Sequence, residues 1–284
     1  MNVRKVRYGT AESARDFTQS LLETGFAVLT DHPIPAKLIS DTFAEWERWF
    51  AASEKHQHGF SPETQSGYFP FRTENAKDYA IKDLKEFYHH YPMRKELPAG
   101  VTTYTPELYE RLVRLGAELL SWVEKETPAD VRARFPMHLS DMVEASDETL
   151  LRILHYPPLS GGEEEGAVRA AAHEDINLIT LLPAATAPGL EVKDMQGRWH
   201  AVACDPGMIV INSGDMLKET SQGYYPSTTH RVVNPVGPEA RSARYSMPLF
   251  VHPRRAAQLT RLVTAGQYLD ERLIQIGLKT KRAI

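Results

Sequence analysis

Hydrophobic positions repeat at helical spacing through the first half of the chain and at strand spacing from Thr149 to Phe250. After Thr10, Ala14, Phe17, Leu21 and Leu22 fall on one helical face, and Gly25 supplies the stop. "FAVLT" then reads as a short buried strand, closed by the turn "DHPIP". Ile39, Phe43, Trp46 and Phe50 mark a second helix. Leu108, Leu112, Leu115, Leu119 and Val123 mark a third, which ends before Pro128. Each stripe is most simply explained as a core-facing side. Tyr268, Leu269, Leu273 and Ile276 suggest a closing helix.

Between these elements the pattern is less regular. The stretch "GFSPETQSGYFPFRTENAKDYAIKDLKEFYHHYP" is dense in Tyr and Phe with interspersed charge, the composition of a loop packed on a sheet. The polar segment up to Glu148 is expected to wrap the barrel, and "SGGEEEG" to be an exposed loop. From Thr149 the strands follow closely. In "TLLRILHYPPL", Arg152, Leu154 and Tyr156 share a face and the proline pair ends the strand. "PGLEVKDMQGRWHAVACDPGMIVINSGD" reads as strand, turn, strand, turn, strand, the content of a jelly roll.

A length of 284 residues permits a sizeable core in one domain. The net charge of −4 makes no field that would gather nucleic acid or anionic lipid, so neither is expected as a partner. The single Cys204 excludes an internal disulfide and fits a reducing compartment. "MNVRKVRYGT" lacks the apolar core of a secretory signal, and no apolar run reaches membrane-spanning length. A cytoplasmic protein is the expectation.

Candidate chemistry enters with "AAAHEDINLITLLP". On a strand, side chains alternate faces, so His173 and Asp175 converge while Glu174 turns away. A second histidine, His230, follows in "STTHRVV". Arg244-X-Ser246 comes fourteen residues later in "ARYSMPLF", again sharing one face. A lone His-X-Asp arises easily by chance; the ordered set is what carries weight. Two imidazoles and one carboxylate form the facial donor set of non-heme ferrous oxygenases, with half the coordination sphere open. His56-X-His58 and His89-His90 have metal-like spacing but no accompanying carboxylate. They read as solvated or hydrogen-bonding side chains.

The run from Leu151 to Phe250 resembles the isopenicillin N synthase-like branch of the 2-oxoglutarate-dependent Fe(II) dioxygenases. The matching segments are "LRILHYPPL", "HEDINLITLLP", "PGLEVKDMQGRWHAV", "PGMIVINSGDMLKETSQGYYPSTTHRVV" and "RYSMPLF". Weaker likeness extends to nearly the whole chain. The resemblance implies an α+β fold: a double-stranded β-helix (jelly roll, cupin-like) core with flanking N- and C-terminal helices. Within a single domain 1–284, residues 1–147 would be helical with a few strands, 148–252 the core, and 253–284 a helical segment.

The resemblance also implies roles. His173, Asp175 and His230 would hold Fe(II); Arg244, Ser246 and Tyr156 would bind the co-substrate 2-oxoglutarate, whose distal carboxylate matches a planar guanidinium. Arg152 and Phe250 fall where the family contacts its substrate, and Tyr68, Arg72 and Phe87 fall in the segment that roofs the site. The expected reaction is hydroxylation of an unactivated C–H bond in a small molecule, an amino or organic acid if Arg152 binds an anion. Desaturation, ring closure and demethylation stay open. Retention of Asp175 argues against halogenation, since the halogenating relatives replace that carboxylate. Two departures stand out: Leu154 occupies a family asparagine position, and "NPVGPEARSA" lengthens the turn before Arg244. An Fe(II)/O2 oxidase without 2-oxoglutarate and a non-catalytic jelly-roll binder are the alternatives. Neither the substrate nor the oligomeric state is legible.

Overall fold

The first apolar stripe forms a helix and its glycine ends it, but a strand already precedes them. In the computed structural model, which describes residues 1–75, 80–275, 277 and 279, the chain opens with β1 (Lys5–Arg7), α1 (Ser13–Thr24), β2 (Phe26–Thr30) and α2 (Ala36–Ala51). β1, unforeseen in the charged leader, pairs parallel with β2. Gly25 takes φ 73° and returns its N–H to the Leu21 carbonyl, the left-handed ending that glycine adopts without a Cβ penalty.

The aromatic stretch after α2, expected as a loop, contributes β3 (Gly67–Phe69) and β4 (Glu86–His90). Their aromatic residues have high strand propensity, and β4 finds a partner along its full length in the first core strand. α3 (Thr105–Glu126) follows, then the short helices α4 (Ala129–Arg132) and α5 (Leu139–Val143). The core runs β5 (Leu150–Tyr156), β6 (Ala170–His173), β7 (Ile179–Pro183), β8 (Leu190–Lys193), β9 (Trp199–Ala201), β10 (Ile209–Ser213), α6 (Asp215–Thr220), β11 (His230–Val232), β12 (Arg244–Ser246) and β13 (Leu249–Val251). α7 (Ala265–Gln275) closes the described chain; Ile276 of the sequence pattern lies outside the described residues.

Two sheets result. The larger has the order β1-β2-β10-β7-β13-β5-β4-β3, with β12 also on β5; the smaller runs β6-β11-β8-β9. Alternation along each strand of the larger sheet separates two environments. Leu151, Ile153, Tyr245, Leu249 and Val251 join Phe17, Trp46, Leu112 and Leu119 in the main core under the helices. The opposite face looks into the space between the sheets. There Phe69, Phe87, Leu154 and Tyr156 meet Ala170 and Val232, while Phe26, Val28 and Val210 meet Leu190 and Val192. This is the jelly-roll interior. No helix among the described residues is long and apolar enough to cross a membrane.

Gly25 offers a direct test of this packing. A Cβ there would lie 2.2 Å from Thr228 Oγ1 and 2.9 Å from Thr228 Cβ, on a backbone at positive φ. Gly25→Ala is expected to destabilise the protein by about 1–3 kcal/mol, read as a lower denaturant midpoint at unchanged m-value. An unchanged midpoint would show that the turn relaxes freely.

Candidate metal centre

β6 and β11 pair so that His173 and His230 are direct cross-strand partners, with ring centroids 4.4 Å apart. Asp175 reaches them differently from the expected strand alternation. β6 ends at His173, and a turn carries the carboxylate inward. Asp175 Oδ1 then lies 3.9 Å from His173 Nε2 and 3.7 Å from His230 Nε2. The three donor atoms sit within 4.8 Å of one another. Among the described residues no other group of three or more His, Cys, Asp or Glu side chains has this spacing.

Each imidazole is oriented through its other nitrogen. His173 Nδ1 lies 2.7 Å from the Ala171 carbonyl and His230 Nδ1 lies 3.1 Å from the Thr228 carbonyl. A proton on Nδ1 satisfies both contacts and leaves both Nε2 lone pairs facing Asp175. The His173 ring keeps one edge open to solvent. Desolvation of the rest, and then repulsion from His230, still push its pKa down to about 4 against the pull of Asp175. For Asp175, desolvation pushes upward. The two imidazoles, Asn212 and Thr180 outweigh it and keep the carboxyl below its ordinary value.

The carboxylate is held by its far oxygen. Asp175 Oδ2 accepts hydrogen bonds from Thr180 Oγ1 at 2.6 Å and Asn212 Nδ2 at 2.8 Å. Asn177 Nδ2 in turn donates to Thr180 Oγ1 at 2.9 Å. The turn itself is clamped by α6, whose Asp215 N–H donates to the Asp175 carbonyl. That approach requires Gly214, because a Cβ there would stand 2.3 Å from the Asn177 carbonyl oxygen and 2.8 Å from that of Asp175. Thr180 and Asn212 carried no sequence signal beyond inward strand parity.

A buried cation also faces the space between the sheets. Arg244 pairs with Tyr156 across β12 and β5, and Ser246 with Leu154. Arg244 is 2 % exposed; its Nε donates to the Ala187 carbonyl at 2.9 Å, its guanidinium lies 5.1 Å from the Tyr156 ring centroid, and its Nη1 has no partner among the described residues. No carboxylate among the described residues pairs with it. A buried guanidinium left this way is costly unless an anion completes it.

Known proteins resemble this chain in sequence and fold. The family profile of the 2OG-Fe(II) oxygenase superfamily matches residues 147–253. That of the N-terminal region of non-haem dioxygenases in morphine synthesis matches residues 8–110. A candidate oxygenase from Shewanella oneidensis, solved by crystallography, is 46 % identical. It covers 98 % of this chain and 100 % of its own, with a TM-score of 0.88. The chain belongs to the 2OG-Fe(II) oxygenase superfamily. The proline hydroxylase buaE of Petromyces alliaceus is 29 % identical over 90 % of this oxygenase and 91 % of its own chain. A Neurospora crassa protein, solved at full length in complex with alpha-KG, has the same fold: TM-score 0.80 at 23 % identity, covering 95 % of this chain and 94 % of that one. The match is to the superfamily rather than to the branch named for isopenicillin N synthase. The oxygenase is a 2-oxoglutarate-dependent dioxygenase that uses iron. Its residues fit both groups: three inward donors with free lone pairs for the ion, and an unpaired buried guanidinium for a carboxylate.

The expected substrate wall divides. Phe87 and Phe250 face the interior of the oxygenase, each beneath the Arg152 guanidinium at 4.7 and 5.5 Å. Phe69, absent from the sequence reading, stacks on Phe87 with centroids 4.4 Å apart. Tyr68 is a correction: its parity on β3 turns it toward the helices, where it packs against Trp49 and bonds to Glu86. Arg72 is a second correction. It is exposed and pairs with Glu164 of the acidic loop at 2.8 Å. Arg152 does point inward, but its charge is already met. Its Nη1 lies 3.2 Å from Glu74 and its Nε donates to His89 Nε2 at 2.8 Å. Lys85 shares Glu74 and also pairs with Asp83. Desolvation raises Glu74, yet Arg152 and Lys85 hold its carboxyl far below the usual range. His89 is buried and hydrogen-bonded, as one of the two expected readings had it; His90 is also buried, and its Nδ1 has no partner among the described residues.

Thr180→Val removes one donor to Asp175 without changing side-chain volume much. Iron affinity, measured by chelator competition, is expected to fall about 10- to 100-fold, with a loss of about 1–3 kcal/mol in stability from the two buried hydrogen bonds removed. Unchanged affinity would mean that Asn212 alone orients the carboxylate.

Proposed function

We propose that the oxygenase hydroxylates an unactivated C–H bond of a small molecule. In this reading His173 Nε2, Asp175 Oδ1 and His230 Nε2 are the protein donors to one face of ferrous iron. Arg244, helped by Ser246 and Tyr156, receives the distal carboxylate of 2-oxoglutarate. The observation that carries it is the Nη1 of buried Arg244, which has no partner among the described residues and belongs to a side chain facing the space between the two sheets. When bound, iron and 2-oxoglutarate supply the oxidant for C–H chemistry, with succinate and carbon dioxide as co-products. The chain's own part is positional. The Nδ1 contacts fix the imidazole planes, Thr180 and Asn212 fix the carboxylate, and Phe69, Phe87 and Phe250 line an apolar wall that excludes water.

The Arg152–Glu74 pair offers both signs of charge at the substrate end. That favours an amino-acid-like zwitterion over a simple organic acid, and the curated relative named a proline hydroxylase supports the same class. Strands β1 to β4 continue the sheet of the 148–252 core, which supports one domain over 1–284. The lone Cys204 and a ferrous cofactor suit a reducing, cytoplasmic compartment.

The test is oxygen uptake with Fe(II) and 2-oxoglutarate across a panel of small amino and organic acids. Succinate is expected in step with oxygen when the substrate is present. Oxygen uptake without succinate would overturn the 2-oxoglutarate assignment. Arg244→Met is expected to weaken 2-oxoglutarate binding by about 2–5 kcal/mol, thirtyfold or more, with iron affinity retained. Equal affinity in that variant would remove Arg244 from the site.

A further inference from the structure

We infer that Arg169 is a second cation for the distal carboxylate of 2-oxoglutarate, acting beside Arg244. The inference rests on the assignment of Arg244 above. Arg169 lies one residue before β6 and is 1 % exposed, among the largest fully buried side chains described. Its Nη2 donates to the Ser242 carbonyl at 3.1 Å, which ties it to the chain two residues upstream of Arg244. Its Nε has no partner among the described residues. Its guanidinium carbon is 5.9 Å from the Tyr156 ring centroid, and that of Arg244 is 5.1 Å from the same centroid.

Two guanidinium groups therefore share one aromatic ring, both buried, each with an unsatisfied nitrogen. No carboxylate among the described residues forms an ion pair with either. Elsewhere the inner-facing cations are neutralised: Arg152 by Glu74, Lys85 by Glu74 and Asp83. Desolvation and mutual repulsion lower the affinity of Arg169 for its proton, with Tyr156 opposing them. A buried pair of like charges is stable only when something negative completes it. A carboxylate has two oxygens and about four acceptor positions, enough for two guanidinium groups and the Ser246 hydroxyl at once. A purely structural Arg169, held only by Ser242, would leave Nε and the positive charge unexplained.

The experiment compares two 2-oxo acids that chelate iron alike but differ at the far end: 2-oxoglutarate and 2-oxobutyrate, which lacks the distal carboxylate. Binding to the anaerobic Fe(II) enzyme is measured by calorimetry, and the melting temperature of the metal-free protein is recorded alongside. Arg169→Met is expected to weaken 2-oxoglutarate about tenfold or more while leaving 2-oxobutyrate within about twofold. Its metal-free melting temperature should equal or exceed wild type, because an uncompensated charge has gone. Arg169→Lys, which keeps the charge but loses the fork, should fall between wild type and the Met variant for 2-oxoglutarate alone. Unchanged 2-oxoglutarate affinity in the Met variant overturns the inference. So does an equal loss for both acids, or a Met variant that does not fold, since either marks a structural arginine. If wild type itself binds the two acids equally, the assignment of Arg244 fails first, a result distinct from these.

Discussion

The carboxylate of Asp175 ties the two sheets together at the point where the chemistry lies. One of its oxygens is held by Thr180 on β7 and Asn212 on β10, both in the larger sheet. The other faces His173 on β6 and His230 on β11, both in the smaller one. A buried carboxylate needs its lone pairs answered; Thr180 and Asn212 answer those of Oδ2, and Oδ1 is left facing two imidazole lone pairs, an arrangement that a cation between them would complete. The division also fixes direction: with Oδ2 engaged, only Oδ1 is left to meet an ion alongside the imidazoles. Gly214 makes this possible by letting α6 approach the Asp175 turn without a side chain between them.

Strand parity distributes the remaining roles. On β5, Leu151, Ile153 and His155 turn toward the helices, while Arg152, Leu154 and Tyr156 turn toward the interior. β12 and β13 obey the same rule, so Tyr245, Leu249 and Val251 pack outward while Arg244, Ser246 and Phe250 look in. A slip of one residue would exchange the two sets entirely. The outward face guards against that slip with its own polar network. Glu86 meets Lys55, His155 and Tyr68 under the helices, and His155 stacks on Tyr245 at 4.6 Å. The register that the helices stabilise is therefore the register that the site requires.

The same parity explains what could be read from the residues and what could not. His173-X-Asp175, His230 and Arg244-X-Ser246 were legible because their chemistry is rare at ordered spacing within a β-rich run. The helices were legible because their stripes are long. β3 and β4 were not, since short aromatic strands interrupted by turns look like loop until a partner such as β5 is known. Tyr68 was misplaced because, without that pairing, nothing tells which of Tyr68 and Phe69 faces inward. Thr180, Asn212 and Arg169 act through partners distant in sequence, and a threonine, an asparagine or an arginine alone announces nothing.

Charge separates the two ends of the interior. Near Tyr156 the chain gathers guanidinium groups and leaves them unpaired; near Phe87 it pairs each cation with Glu74 or Asp83. Leu154 lies between, opposite Ser246 on one side and Phe87 on the other, where the family carries an asparagine. An apolar side chain there lends no hydrogen bond to either end. Among the described residues, an anion entering the interior meets unpaired positive charge near Tyr156. At the Phe87 end it would have to displace Glu74 from Arg152, breaking a part-buried ion pair in order to form another. The two ends of the described interior therefore differ in charge: buried guanidinium groups without a carboxylate at one, and cations already paired at the other.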